Sequence, residues 1–197
     1  EEVAGFARSM KMERIPDPFA WLDEEGQWRL FLLSLVLGVA VMVALTGQGR
    51  PLRTAEAPQG IVTFELIGDH AGAERILAAW GEAGRLVAGV NLGLDYLFML
   101  LYAVGLSLGA VIAARRHARF SSVRSGFGRA LAWAALLAGL LDAVENYALI
   151  RVLLGAGGDF WPALSRACAR PKFAIVGVVL AYVLSTPLIT RLLARSR

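Results

Sequence analysis

Cysteine occurs once in this chain, at Cys168, histidine twice, at His70 and His117, and lysine twice, at Lys11 and Lys172. A single cysteine excludes an intrachain disulfide and a thiolate metal cluster built by this chain alone. The two histidines fall in different flanking segments, which argues against a bis-histidine haem site or a His-rich metal site. Charge is also scarce. Only 18% of the residues are charged and 57% are hydrophobic, with a mean hydropathy of +0.57. Soluble domains lie nearer 45–50% apolar and about 25% charged, so the composition points to an integral membrane protein.

Signatures of chemistry are missing as well. There is no Ser-His-Asp ordering, no H-E-x-x-H pair and no phosphate-cradling glycine loop. Gly155-Ala156-Gly157-Gly158 has the look of a glycine-rich loop, but it follows an apolar run rather than a strand. Glu65, Asp69 and His70 could offer oxygen and nitrogen ligands, yet a helix N-cap explains Asp69 equally well. No catalytic residue, cofactor or metal site is therefore expected. The net charge of +4 and a pI near 9.7 do not indicate nucleic acid. The basic residues sit beside apolar runs, where orientation signals lie, and no nucleic-acid-binding motif accompanies them.

What is present is a series of four long apolar runs, at about 30–46, 90–114, 130–154 and 172–193. At 1.5 Å per helical residue the later runs can cross a hydrocarbon core about 30 Å thick, and the first, with Trp28 at its edge, is just long enough. The fold expected is all-α, an integral membrane four-transmembrane-helix bundle. Residues 1–29 read as a polar arm, with Val3, Phe6, Ala7 and Met10 in a faint amphipathic rhythm and no apolar run of the secretory-signal kind. Pro16 and Pro18 interrupt any helix there, and Trp21 and Trp28 suit an interface. The 47–88 segment predicts a loop, a short β-prone stretch at Ile61–Leu66, and an extracytoplasmic interfacial helix near 72–85. In that helix Ala73, Ile76, Leu77 and Trp80 fall at helical spacing. Residues 155–171 read as a connection. Gly105 and Gly109 form a small-xxx-small pair that permits close helix approach, and Pro187 is placed to bend the last span.

Arginine sets the orientation. Arg115, Arg116, Arg119, Arg124 and Arg129 crowd the connection between the second and third runs. Placing this loop in the cytoplasm puts both termini there, in a multi-pass topology. It also gives depths. Asp95, with Tyr102 at i+7, lies in the outer third of the second span. Asp142, Glu145 and Asn146, spaced i, i+3 and i+4, share one helical face in the middle and outer half of the third. Lys172 opens the fourth span from the same side, with Arg151 as a competing counter-ion. A carboxylate at bilayer depth costs about 2.5–3.5 kcal/mol on insertion scales and faces a protein interior. Asp95, Tyr102, Asp142, Glu145, Asn146 and Lys172 thus form an intramembrane polar cluster. One reading makes the cluster a structural core that fixes helix register. The other makes it a proton- or cation-handling site, or a polar pocket open to one face, because carboxylates outnumber the lysine.

Several stretches together resemble a functionally unassigned family of small bacterial four-helix integral membrane proteins. They are Phe64-Glu65-Leu66, Ile76-Leu77-Ala78-Ala79-Trp80, Leu94-Asp95-Tyr96-Leu97-Phe98 with Tyr102, and Asp142-x-x-Glu145-Asn146 with Lys172. The resemblance covers roughly residues 28–193. It implies four spans and treats the acidic layer as a family feature, but it implies no mechanism. The expected function is that of a non-catalytic accessory or scaffold subunit, its partners being the bilayer and other membrane protein subunits. The alternative is a small transporter or proton- or cation-handling protein working through Asp95, Asp142, Glu145 and Lys172.

Overall fold

The computed structural model describes residues 15–195, and the amphipathic rhythm expected at 3–10 lies outside them. Every regular element is helical: α1 Glu24–Gln48, a short 3-10 turn Arg50–Leu52, α2 Ile61–Leu66, α3 His70–Ala118, α4 Ser122–Leu153 and α5 Phe160–Arg195. Helices α1, α3, α4 and α5 are long and apolar enough to cross a membrane. Each of the first three starts where chain chemistry provides a cap. Asp23 Oδ1 accepts from the Gly26 amide at 2.8 Å, Asp69 Oδ1 from Gly72 at 2.7 Å, and Ser121 Oγ from Arg124 at 3.3 Å. These bonds satisfy amides that have no partner inside the helix.

Three sequence-based expectations need correction. Ile61–Leu66 is a helix rather than a β-stretch. Its β-branched residues favour a strand locally, but no strand occurs among the described residues to pair with it. A helix satisfies its own backbone, and this one buries Phe64 against Trp80, with ring centroids 5.1 Å apart. The helix expected near 72–85 is the leading part of α3 and breaks at Gly81 (φ 60°, ψ −168°), a conformation open to glycine. From Glu82 the chain is already the long helix. Residues 160–170, read as connection, are the first turns of α5, so Lys172 lies well inside a helix rather than at its start. Pro171 removes one amide there without ending the helix.

Helix α3 is the central element and packs on α1, α4 and α5, while α4 packs on α5. Small residues allow these approaches. A Cβ on Gly139 of α4 would sit 2.8 Å from Ala103 Cβ of α3, and one on Gly105 would sit 3.4 Å from Ser34 Cβ of α1. Two apolar clusters result. One gathers Leu52, Phe64, Ile76, Leu77, Trp80, Leu92 and Leu149 beneath the leading part of α3, where Trp80 Nε1 donates to Leu52 O at 2.8 Å. The other gathers Phe19, Leu108, Val111, Leu131 and Val179 at the Arg-rich end. There the segment before α1 is tied down. Trp133 Nε1 donates to Pro16 O at 3.0 Å, and Gln27, itself bonded to Phe19 O at 2.8 Å, accepts from Arg115.

Gly139→Leu should force α3 and α4 apart. Overpacking costs about 1–3 kcal/mol, and the expected result is a lowered unfolding midpoint in neutral detergent, beside little change for Gly89→Leu, where a Cβ meets no other side chain.

Candidate functional site

Between the two apolar clusters lies a polar layer. The i, i+3, i+4 spacing points Asp142, Glu145 and Asn146 of α4 inward, and all three are buried, Glu145 completely. Lys172 of α5 meets them. Its Nζ lies 2.9 Å from Asp142 Oδ1 and 2.9 Å from Glu145 Oε1. Asp142 Oδ2 accepts from the Tyr102 hydroxyl of α3 at 2.8 Å. Asn146 Nδ2 donates to Asp95 Oδ2, also of α3, at 2.7 Å. All six side chains of the expected cluster are thus linked into two adjoining networks, Lys172–Asp142–Glu145–Tyr102 and Asp95–Asn146.

A seventh residue had been placed elsewhere. Glu65 of α2 is 7% exposed, and its Oε2 stands 3.8 Å from Lys172 Nζ. It does not join Asp69 and His70 as a ligand set: Asp69 caps α3, and the His70 amide donates to Asp159. No group of three His, Cys, Asp or Glu suited to a metal ion occurs among the described residues. The sequence held one signal for Glu65, a lone carboxylate inside the apolar stretch Ile61–Leu66. Its position is set by α5, where Ser165 Oγ donates to Glu65 O at 3.0 Å and Arg166 Nη1 to Ile67 O at 3.4 Å. Arg151, the competing counter-ion, stays outside the layer with its guanidinium 5.1 Å from the centre of the Trp161 ring.

Four carboxylates therefore share the layer with one ammonium, three of them (Glu65, Asp142 and Glu145) in ion-pair range of it and Asp95 bonded to Asn146. Lys172 supplies three N–H donors, too few for eight carboxylate oxygens. Glu65 Oε2, Glu145 Oε2 and Asn146 Oδ1 are buried without a hydrogen-bond donor. Burial pushes the Glu65 carboxyl up to about 7. The Lys172 charge opposes this rise, and the Asp95 and Asp142 charges add to it.

The layer is not sealed. A cavity of about 670 Å³ opens between α1 and α5, with Glu65, Asp95, Tyr102, Asp142 and Lys172 at its floor and apolar side chains on its walls.

Two outcomes follow from this geometry. Lys172→Met leaves the carboxylates uncompensated and is expected to cost about 3–5 kcal/mol at neutral pH, partly regained on acidification as they protonate. Unfolding in neutral detergent across pH reads both. For Glu65, a native pKa above the unfolded value favours the fold most below about pH 4.5, and that contribution is lost as pH rises to about 7. An infrared carboxyl band with a midpoint near 7 should be present in the native protein and absent in Glu65→Gln.

No protein-family model, curated protein or solved structure matches this chain.

Proposed function

We propose that this chain is a multi-pass membrane protein that takes up a proton or cation at the Glu65–Asp95–Asp142–Glu145–Lys172 layer. The observation that carries the reading is the imbalance of four buried or half-buried carboxylates against one lysine, three of the four (Glu65, Asp95 and Asp142) lining an open cavity. A purely structural core would be expected to balance its charges, since an unpaired buried charge costs several kcal/mol. This layer instead has room for added positive charge. Glu65 Oε2 and Glu145 Oε2 are buried acceptors without a donor, and Asp95 has no cationic partner among the described residues. The Arg-rich α3–α4 connection supports an orientation with both termini cytoplasmic, and the resemblance to small bacterial membrane proteins supports an inner membrane location. The layer then lies toward the outer face, and the leading part of α3 caps it as an extracytoplasmic interfacial helix.

A second reading, an accessory subunit of a larger membrane complex, draws on α1. The buried residues of α1 are Gln27, Ser34 and Gly38, while Leu33, Val36 and Val43 point outward. That apolar face suits lipid or a neighbouring subunit equally.

In proteoliposomes with an entrapped pH-sensitive dye, proton or cation flux is expected for the wild-type protein and a loss of at least tenfold for Glu145→Gln, with assembly unchanged by size-exclusion chromatography. Wild-type vesicles without flux, or unfolding of both Glu145→Gln and Asp142→Asn, would point to the structural core. Stoichiometric co-purification with unrelated subunits would favour the second reading.

A further inference from the structure

The cavity above the acidic layer has a shape that the uptake of a bare ion does not require. It runs along α3 from Asn91 to Leu106, roughly 22 Å at 1.5 Å per residue. One wall is α1 and the other is α5. Helix α1 packs on α3, and α5 on α3 and α4, and no seam joins α1 to α5. They come together only toward the Arg-rich end, where Phe31 and Val183 both lie over Gly109. The lips are exposed hydrocarbon, Leu35, Val39 and Met42 on α1 and Leu180 and Leu184 on α5. Because these helices are long and apolar enough to span a membrane, such a mouth meets acyl chains rather than water.

The floor has the opposite character. Asp95 is half-buried and is bonded to the neutral Asn146 amide alone. Glu65, which lines the same cavity, is 7% exposed, and its Oε2 is a buried acceptor without a donor. Lys172 is committed to Asp142 and Glu145. A molecule entering from the side thus meets apolar walls first and then two carboxylates lacking a hydrogen-bonded cation. The complementary ligand has a hydrocarbon tail and a positively charged donor head. An anionic or zwitterionic head would bring negative charge against carboxylates in a low-dielectric site, which is strongly unfavourable.

We infer that the groove between α1 and α5 is a lateral binding site for a single-chain cationic amphiphile, with its ammonium on Asp95 and Glu65 and its alkyl chain between the two helices. The inference rests on the proposed uptake of positive charge at this layer and names the form in which that charge arrives.

The probe is dodecylamine, offered to the protein in neutral detergent and read by native mass spectrometry, with dodecanol and dodecanoate as tail-matched controls. A one-to-one dodecylamine adduct is expected, at least tenfold more abundant than either control. Asp95→Asn should reduce it at least tenfold. Gly38→Leu should do the same by filling the wall without touching the acids: a Cβ there has ordinary contact with Leu101, at 3.7 Å, and leucine favours the helix over glycine. Equal adducts from all three probes would overturn the inference, as would full dodecylamine binding by both variants. The infrared titration of Glu65 separates the two levels. No adduct with that titration intact sinks the amphiphile alone, whereas no adduct and no carboxyl titrating near neutral pH sinks the underlying reading as well.

Discussion

One ammonium group holds the middle of this molecule together. Removing Lys172 and its carboxylate partners from water costs several kcal/mol per charge, and only close, well-directed contacts offset that cost. The 2.9 Å contacts to Asp142 and Glu145 are of that quality, and the Tyr102 hydroxyl satisfies the far side of Asp142. The same nitrogen faces Glu65 on α2. Three helices therefore converge on one charge, and α3 joins through Tyr102 and through Asp95 with Asn146. The apolar clusters above and below keep water from both ends, which strengthens every interaction between them. Without them the layer would be a set of screened surface charges of little energetic weight.

The layer also has a direction. On the α4–α5 side Lys172 bonds both Asp142 and Glu145, and all three are enclosed. On the side facing the gap between α1 and α5, carboxylate oxygens are in excess and the wall is open. A symmetric structural core would be expected to satisfy itself on all sides. The asymmetry arises from α1, which is attached through α3 by small and polar residues and brings no charge of its own to the layer.

Much of this was legible in the chain. The four spans follow from long apolar runs, and the inward face of α4 follows from carboxylates at i, i+3 and i+4 that could not face lipid. Lys172 as their partner follows from its being the one lysine in an apolar context. What was not legible depended on tertiary placement. Ile61–Leu66 carries β-branched residues whose local preference is overridden once Phe64 and Glu65 have partners in the bundle. The start of α5 was hidden by Pro171, which marks a boundary in sequence but sits within a continuous helix here. The break in α3 falls at Gly81, inside the helix expected near 72–85, and a pair of glycines three residues apart does not say which takes the positive φ. Gly84 instead lets the helix pass close to Trp80. The groove could not be read at all, because it exists only through the separation of two helices that the chain never joins directly.

The bond from Ser165 Oγ to the Glu65 carbonyl has a consequence for how α2 behaves. It holds the backbone of that residue to α5 through a neutral donor, so its strength does not vary with the state of the Glu65 side chain. The Arg166 bond to Ile67 O likewise uses a group whose charge is fixed at every physiological pH. Titration of the carboxyl and anchorage of the helix are thus separate properties of one residue. The hold of α5 on α2 therefore does not run through the Glu65 carboxyl.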